Sequence, residues 1–316
     1  MTQRTAGIHH ITAFVGNAQA NADFYAGLLG LRLVKKTINF DAPEVYHLYF
    51  GNETGSPGTI ITFFPFEHGR KGVVGGGQVG YTTFAVPVGA LPFWEARLQA
   101  HSVPFKREER FGETYLRFKD RDGLQLELVE REAGEPSRWS FGGVPLDKAI
   151  KGFGGAMLFS MAPASTMHTL EHVFGLDRIG EENGWVRFRA AGDIGNVIDV
   201  NAAPMGRGHG GAGTIHHIAW RAKDVSDQEA WRERVAANGF QPTPIVDRQY
   251  FTAVYFREAG EILFEIATDP PGFLRDEPYE SLGERLMLPE WFETHRAQIE
   301  EGLPPFAIRE LKEERP

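Results

Sequence analysis

The chain has 316 residues, room for about two ordinary domains or one large one, and its 42% apolar and 24% charged composition excludes disordered, collagenous and coiled-coil classes. It contains no cysteine, which excludes disulfides, thiolate nucleophiles, zinc–thiolate sites and iron–sulfur clusters. With 33 Lys+Arg against 42 Asp+Glu, the net charge of −9 argues against nucleic-acid binding through a broad basic face. No apolar run approaches the ~20 residues of a membrane helix. The opening Met1–Thr5 has no signal-peptide pattern, so the expected location is the cytoplasm.

In chain order, Gly7-Ile8-His9-His10-Ile11-Thr12-Ala13 reads as a strand. Phe24 and Leu28 then share a helix face, which Gly30 ends, and strands follow over 31–40, 45–50 and 58–64. A second copy starts with a strand at 79–86, continues through Leu91, Trp94 and Leu98 at helical spacing, and adds strands at 115–118 and 123–129. The third has a strand at 156–161, a helix marked by Met167, Leu170 and Phe174, a stop at Gly175, and strands at 185–188 and 195–200. Gly206-Arg207-Gly208-His209-Gly210-Gly211 lacks the setting of a phosphate loop and is expected to be a flexible linker. The fourth copy echoes the first with Thr214-Ile215-His216-His217-Ile218-Ala219-Trp220. Ser226 and Glu229 suggest a capping box, Trp231 and Val235 one helix face, and Gly239 its end; strands follow at 253–256 and 260–266. A tail opens at Pro270-Pro271-Gly272, with a helix predicted over 289–301 and packed on the repeats.

The expected fold class is therefore α+β, built from four βαβββ modules at 1–77, 78–150, 151–211 and 212–269, with an extension at 270–316. No single module covers its own sheet, so modules should pack in pairs.

The repeated His-His doublet suggests a metal site. Adjacent residues on a strand point to opposite faces, so one histidine of each doublet is expected to face a cavity. Equivalent strands of two modules would bring two imidazoles together. Glu265, inside Ile262-Leu263-Phe264-Glu265-Ile266-Ala267, is a carboxylate among apolar residues, and a divalent ion would offset the cost of burying it. Aligned on Gly, Glu265 falls opposite Phe63 of the first module; slipped by one, it falls opposite Thr62. Neither is a carboxylate. Two His, one Glu and open positions are the ligand set of non-haem Fe(II) enzymes, although Mn(II) suits the same ligands. The middle modules carry Gly80-Tyr81 and Gly155-Ala156 in place of the doublets, so Glu127 and Asp199 are read as structural or exposed. His47 is read as structural or as lying behind the ligands.

These modules and metal positions resemble the vicinal oxygen chelate superfamily of glyoxalases and extradiol dioxygenases. Gly7 to Thr12, Tyr46-His47-Leu48-Tyr49-Phe50, Gly58-Thr59, Ile215-His216-His217 and Phe264-Glu265 are similar to its hydroquinone ring-cleaving dioxygenases. The resemblance implies two cup-shaped half-barrels, with modules one and four facing each other. It implies that His10, His217 and Glu265 bind Fe(II). It also implies that His9, His216 and Thr12 line the pocket behind the ligands or touch substrate, and that Arg248 and Tyr255 reach the substrate oxygens. One departure is Gly260-Glu261, where the family has paired glycines. The implied activity is opening of a hydroquinone-type ring, the partners being a small aromatic diol and O2. His9 or His216 would move protons, Arg248 would offset charge and Tyr255 would donate a hydrogen bond. A metal-dependent isomerase and a binding protein that sequesters a quinone or antibiotic remain alternatives, and the oligomeric state, including a homo-oligomer, is left open.

Overall fold

The computed structural model describes residues 3–311. The first stretch runs β1 (Ile8–Val15), α1 (Ala18–Ala22) passing into a π-helical turn (Asp23–Leu28), then β2 (Arg32–Asn39), β3 (Ala42–Gly51) and β4 (Ile60–Pro65). The second runs β5 (Gln78–Val86), α2 (Leu91–Ala100), β6 (Lys106–Arg110), β7 (Glu113–Lys119) and β8 (Gln125–Glu130). The third has β9 (Gly152–Phe159), α3 (Pro163–His168) with its own π-helical turn (Thr169–Val173), β10 (Asp177–Glu182), β11 (Trp185–Arg189) and β12 (Val197–Asn201). The fourth has β13 (Thr214–Ala222), α4 (Val225–Ala237), a short β14 (Val246–Asp247), β15 (Thr252–Arg257) and β16 (Leu263–Thr268).

Two eight-stranded sheets result, each a curled half-barrel. One has the order β14-β15-β16-β13-β1-β4-β3-β2, the other β10-β11-β12-β9-β5-β8-β7-β6. The first and last stretches thus share one sheet, joined where β1 runs antiparallel to β13, and the two middle stretches share the other through β5 and β9. The helices cover the sheets with the residues whose spacing marked them: Trp94 and Leu98 of α2 and Trp231 and Val235 of α4 are buried. Phe174, just past the third helix, stacks on Trp231 and also packs against Trp220 of β13, tying the third stretch to the fourth. Each such large apolar side chain contributes about 1.5–3 kcal/mol by leaving water.

Three local expectations are corrected. α4 is capped by Asp224, whose side chain accepts from Asp227 N, and not by Ser226; the chain is already helical at Val225. The glycine-rich 206–211 segment is no loose linker. It pairs with 71–76 through Val73–His209 and Gly76–Arg207 bridges. A Cβ on Gly75 would lie 2.8 Å from Gly206 O, so the glycines serve close backbone approach. The tail helix is split into α5 (Glu290–Glu293) and α6 (Arg296–Gly302), because His295 between them has non-helical ψ. Glu261, where the family has paired glycines, adopts φ +70°, a strained conformation for a side-chain-bearing residue. The tail does pack on the repeats: the fully buried Lys35 ammonium of β2 lies 2.6 Å from Asp276 and 2.5 Å from Glu277.

The second sheet holds a buried ionic cluster. Glu127 on β8 and Asp199 on β12 are both buried, and Arg110 of β6 bridges them at 2.6 and 2.9 Å. Arg187 of β11 pairs with Asp199 at 2.7 Å, and Arg117 of β7 with Glu127 at 2.5 Å. The Arg110 guanidinium also stacks on Tyr115, 3.4 Å from the ring centre. Glu127 and Asp199 are therefore structural and buried. Because removing one partner strands buried charge, Arg110→Met is expected to lower the unfolding free energy by about 3–5 kcal/mol. Denaturant titration checks this. Adding Glu127→Gln and Asp199→Asn to that variant should recover part of the loss.

Candidate metal centre

Strand alternation alone would send the two histidines of a doublet to opposite faces, and the structure departs from that expectation. In the β1–β13 ladder, Ile8 pairs with Trp220 and His10 with Ala219, so His9 is an extra residue on β1. Likewise Thr12 pairs with His217 and Ala13 with Ile215, making His216 the extra residue on β13. Each doublet sits on a β-bulge, which re-aims a side chain at the cost of one ladder pair. The two rings of each doublet therefore meet: His9 Nδ1 lies 2.9 Å from His10 Nδ1, and His216 Nδ1 lies 2.8 Å from His217 Nδ1. The middle sheet has the same bulges at Gly80 and Gly154. That register makes Tyr81 the counterpart of His10 and Gly155 that of His217. The third doublet position is thus Gly154-Gly155, one residue before the expected Gly155-Ala156.

Across the two strands, His10 Nε2 and His217 Nε2 lie 3.1 Å apart. Glu265 sits on β16 beside Ala219 of β13, and its Oε2 is 3.3 Å from His10 Nε2 and 2.9 Å from His217 Nε2. All three side chains are buried, Glu265 completely. Burial alone would raise the Glu265 carboxyl; positive charge at the His10–His217 pair, which a bound cation would supply when the rings are neutral, holds it well below the usual carboxylate range. Burial, outweighing the pull of Glu265, lowers His217, and burial reinforced by His10 lowers His9 strongly, so these rings are neutral. When each ligand histidine donates Nδ1–H to its doublet partner, both Nε2 lone pairs converge on a carboxylate whose oxygens accept no hydrogen bond. Three donor atoms that carry lone pairs and no proton of their own fit a cation. The donors, two imidazoles and one carboxylate, suit a divalent transition metal.

Thr62 settles the register left open between two alignments. It pairs with Thr12 on β1 as Glu265 pairs with Ala219 on β13, and Thr12 and Ala219 each lie two residues beyond a ligand histidine. The position opposite Glu265 is therefore a hydroxyl, not a second carboxylate. The same ladder position in the second sheet is held by Glu127 and Asp199, opposite Thr83 and Met157.

A cavity of about 370 Å³ opens over the cluster. His10, His217 and Glu265 form its floor, and Phe14, Phe40, Phe64, Phe251 and Tyr49 contribute aromatic walls. Arg248 and Tyr255 reach it, joined by Arg248 Nε donating to Tyr255 Oη at 3.1 Å; Arg248 also pairs with the exposed Asp41 carboxylate at 3.0 Å. His216 is exposed and lines the cavity. His9 and Thr12 do not line it. His9 packs behind His10 against Phe251, and Thr12 is buried with its hydroxyl 2.8 Å from His217 Nε2. Sequence reasoning did not single out Phe251, which covers both His9 and His10, nor Asp41, the partner of Arg248. Nothing in local pattern marks either, since both act across modules.

Residues 7–128 and 152–274 match the model of the Glyoxalase/Bleomycin resistance protein/Dioxygenase superfamily. Over 311 residues, covering 98% of this chain and 100% of the relative, the chain is 61% identical to "Putative ring-cleaving dioxygenase MhqO" of Bacillus subtilis (strain 168). It is 35% identical to the chlorohydroquinone/hydroquinone 1,2-dioxygenase of Sphingobium indicum over 296 residues, 90% of this chain and 91% of the relative. A crystal structure of a dioxygenase from Bacillus subtilis subsp. subtilis str. 168, named with the same qualifier as MhqO, superposes with a TM-score of 0.97 at 61% identity, covering 98% of this chain and 100% of that one. Paired modules, the bulged histidine doublets and these matches together show that the chain belongs to the glyoxalase and dioxygenase superfamily, the vicinal oxygen chelate proteins.

Proposed function

We propose that the protein is a non-haem Fe(II)-dependent ring-cleaving dioxygenase acting with O2 on a hydroquinone-type substrate, with His10, His217 and Glu265 as the metal ligands. The observation that carries this is the hydroxyl of Thr62 where a fourth, carboxylate ligand would stand. Three protein ligands leave room for an anionic substrate oxygen and for dioxygen. A closed shell with two carboxylates suits the isomerase alternative better. The names of the dioxygenase relatives support the reading, and Mn(II) is the other ion these ligands accommodate.

Iron bound here would lower the pKa of a coordinated phenol and mediate electron transfer from the ring to dioxygen. The remaining work falls to the chain. The aromatic walls accept a flat ring and exclude water. Arg248 meets the negative charge of a substrate oxygen, since its present partner Asp41 is exposed and such a pair is weak. Because Arg248 donates to the oxygen of Tyr255, the Tyr255 proton is left to face the cavity. Burial is the main influence keeping that phenol protonated, its pKa lying above the ordinary value. Tyr255 is thus a neutral donor for a substrate-derived oxygen, and His216 at the mouth, its pKa lowered to about 3 mainly by desolvation of the ring and then by His217, stays neutral and accepts the Nδ1 proton of His217. His9 acts from behind, by accepting the Nδ1 proton of His10 and fixing that ring.

Glu265→Gln is expected to lose both metal retention and turnover, read by metal analysis after anaerobic reconstitution with Fe(II). Tyr255→Phe should keep the metal and lower kcat by roughly 10²-fold, the effect of removing one donor to a developing oxyanion. Arg248→Met should act mainly on KM, raising it about ten- to a hundredfold for the loss of a charged hydrogen bond. The reconstituted enzyme should consume oxygen with methyl- or chlorohydroquinone in preference to catechol; an oxygen electrode showing no uptake with any diphenol would favour the isomerase or binding alternatives.

A further inference from the structure

A line of buried polar groups runs from the cavity wall to the metal centre. Tyr49 Oη lies 2.8 Å from His47 Nδ1, His47 Nε2 lies 2.8 Å from Thr62 Oγ1, and Thr62 Oγ1 lies 2.8 Å from Thr12 Oγ1. Thr12 Oγ1 in turn lies 2.8 Å from His217 Nε2. β3 supplies the first two residues, β4 the third and β1 the last, so three neighbouring strands hold the line in register. Tyr49, Thr62 and Thr12 are all buried.

The line has a direction. Among the described residues the Tyr49 hydroxyl has one hydrogen-bond partner, His47 Nδ1. A buried hydroxyl that does not donate is costly, so Tyr49 must be the donor there. Accepting at Nδ1 leaves the neutral His47 ring with its proton on Nε2. That proton goes to Thr62, whose own hydroxyl hydrogen can then only go to Thr12. Thr12, already accepting, must donate onward, and the sole direction left is the ligand cluster. In the reverse sense His47 would carry its proton on Nδ1 and the Tyr49 hydroxyl would have no acceptor. When a metal takes the His217 Nε2 lone pair, the Thr12 hydrogen is free for an oxygen in the open part of the site.

We propose that Tyr49, His47 and Thr62 form a one-way hydrogen-bond wire that compels Thr12 to donate toward the metal site, making them positioning residues for an anionic oxygen held there. The inference rests on the ring-cleavage reading for its consequence, but not for the direction of the wire. It also gives Thr62 a role: in place of a fourth ligand, β4 supplies a neutral relay. Charge is kept out of the site while a donor is fixed in it.

Two measurements on the full-length protein test this. Long-range 1H–15N NMR of the imidazoles, without added metal and with His47 assigned by the signal lost in His47→Gln, should show His47 as the Nε2–H tautomer. Tyr49→Phe should convert it to a mixture. In the Fe(II)-reconstituted enzyme, Thr62→Val should keep its iron and lower kcat by roughly ten- to a hundredfold with KM little changed, while Thr62→Ser restores kcat. An Nδ1–H tautomer in the wild type overturns the direction. Unchanged kcat in Thr62→Val, or a rise in KM alone, overturns the positioning role. If the wild type opens no diphenol, the ring-cleavage reading fails while the tautomer still judges the wire.

Discussion

The antiparallel pairing of β1 with β13 is the constraint on which the site depends. It joins residues 207 positions apart in the chain, and its register decides which side chains meet. With His10 opposite Ala219 and Thr12 opposite His217, the two ligand rings converge on a diagonal, and parallel neighbours β4 and β16 add Thr62 and Glu265 from either side. A slip of one residue would send the whole set to the other face. The bulges at His9 and His216 guard against that slip, since each is an irregularity that must match its partner strand.

Much of this was legible in the sequence. A doublet repeated some 200 residues apart, each followed by a helix and a Gly stop, revealed the modules. An acidic residue inside an apolar strand pointed to Glu265, which the structure brings beside His10 and His217. What stayed hidden was of another kind. A bulge has no residue signature when its extra residue is histidine, so alternation gave the wrong faces for the doublets. The choice between Phe63 and Thr62 needed the ladder, because Thr62 stands four residues after Gly58 whereas Glu265 stands five after Gly260. Phe251 and Asp41 work across module boundaries, where sequence spacing carries no information. Arg248 and Tyr255 came only from family resemblance, and the structure places both on the cavity.

The two sheets apply different chemistry to one backbone plan. At matching ladder positions, one sheet has His10, His217, Thr62 and Glu265, and the other has Tyr81, Gly155, Glu127 and Asp199. In the second sheet guanidinium groups meet the carboxylates, and Arg110 spans both. Replacing histidine by glycine at position 155 and tyrosine at 81 leaves no imidazoles beside those acids. At the centre of the second sheet the cation is a guanidinium, part of the polypeptide; at the centre of the first, the three donor side chains suit a metal ion.

That difference separates the two halves by what supplies their charge balance. The arginines that neutralise Glu127 and Asp199 arrive with translation, in fixed stoichiometry and beyond the reach of chelators. In the first sheet Glu265 has no such arginine; its neighbours are the imidazoles of His10 and His217. The charge balance of the second sheet is therefore the same whatever ions surround the protein, and it gives the candidate centre a constant framework at its side.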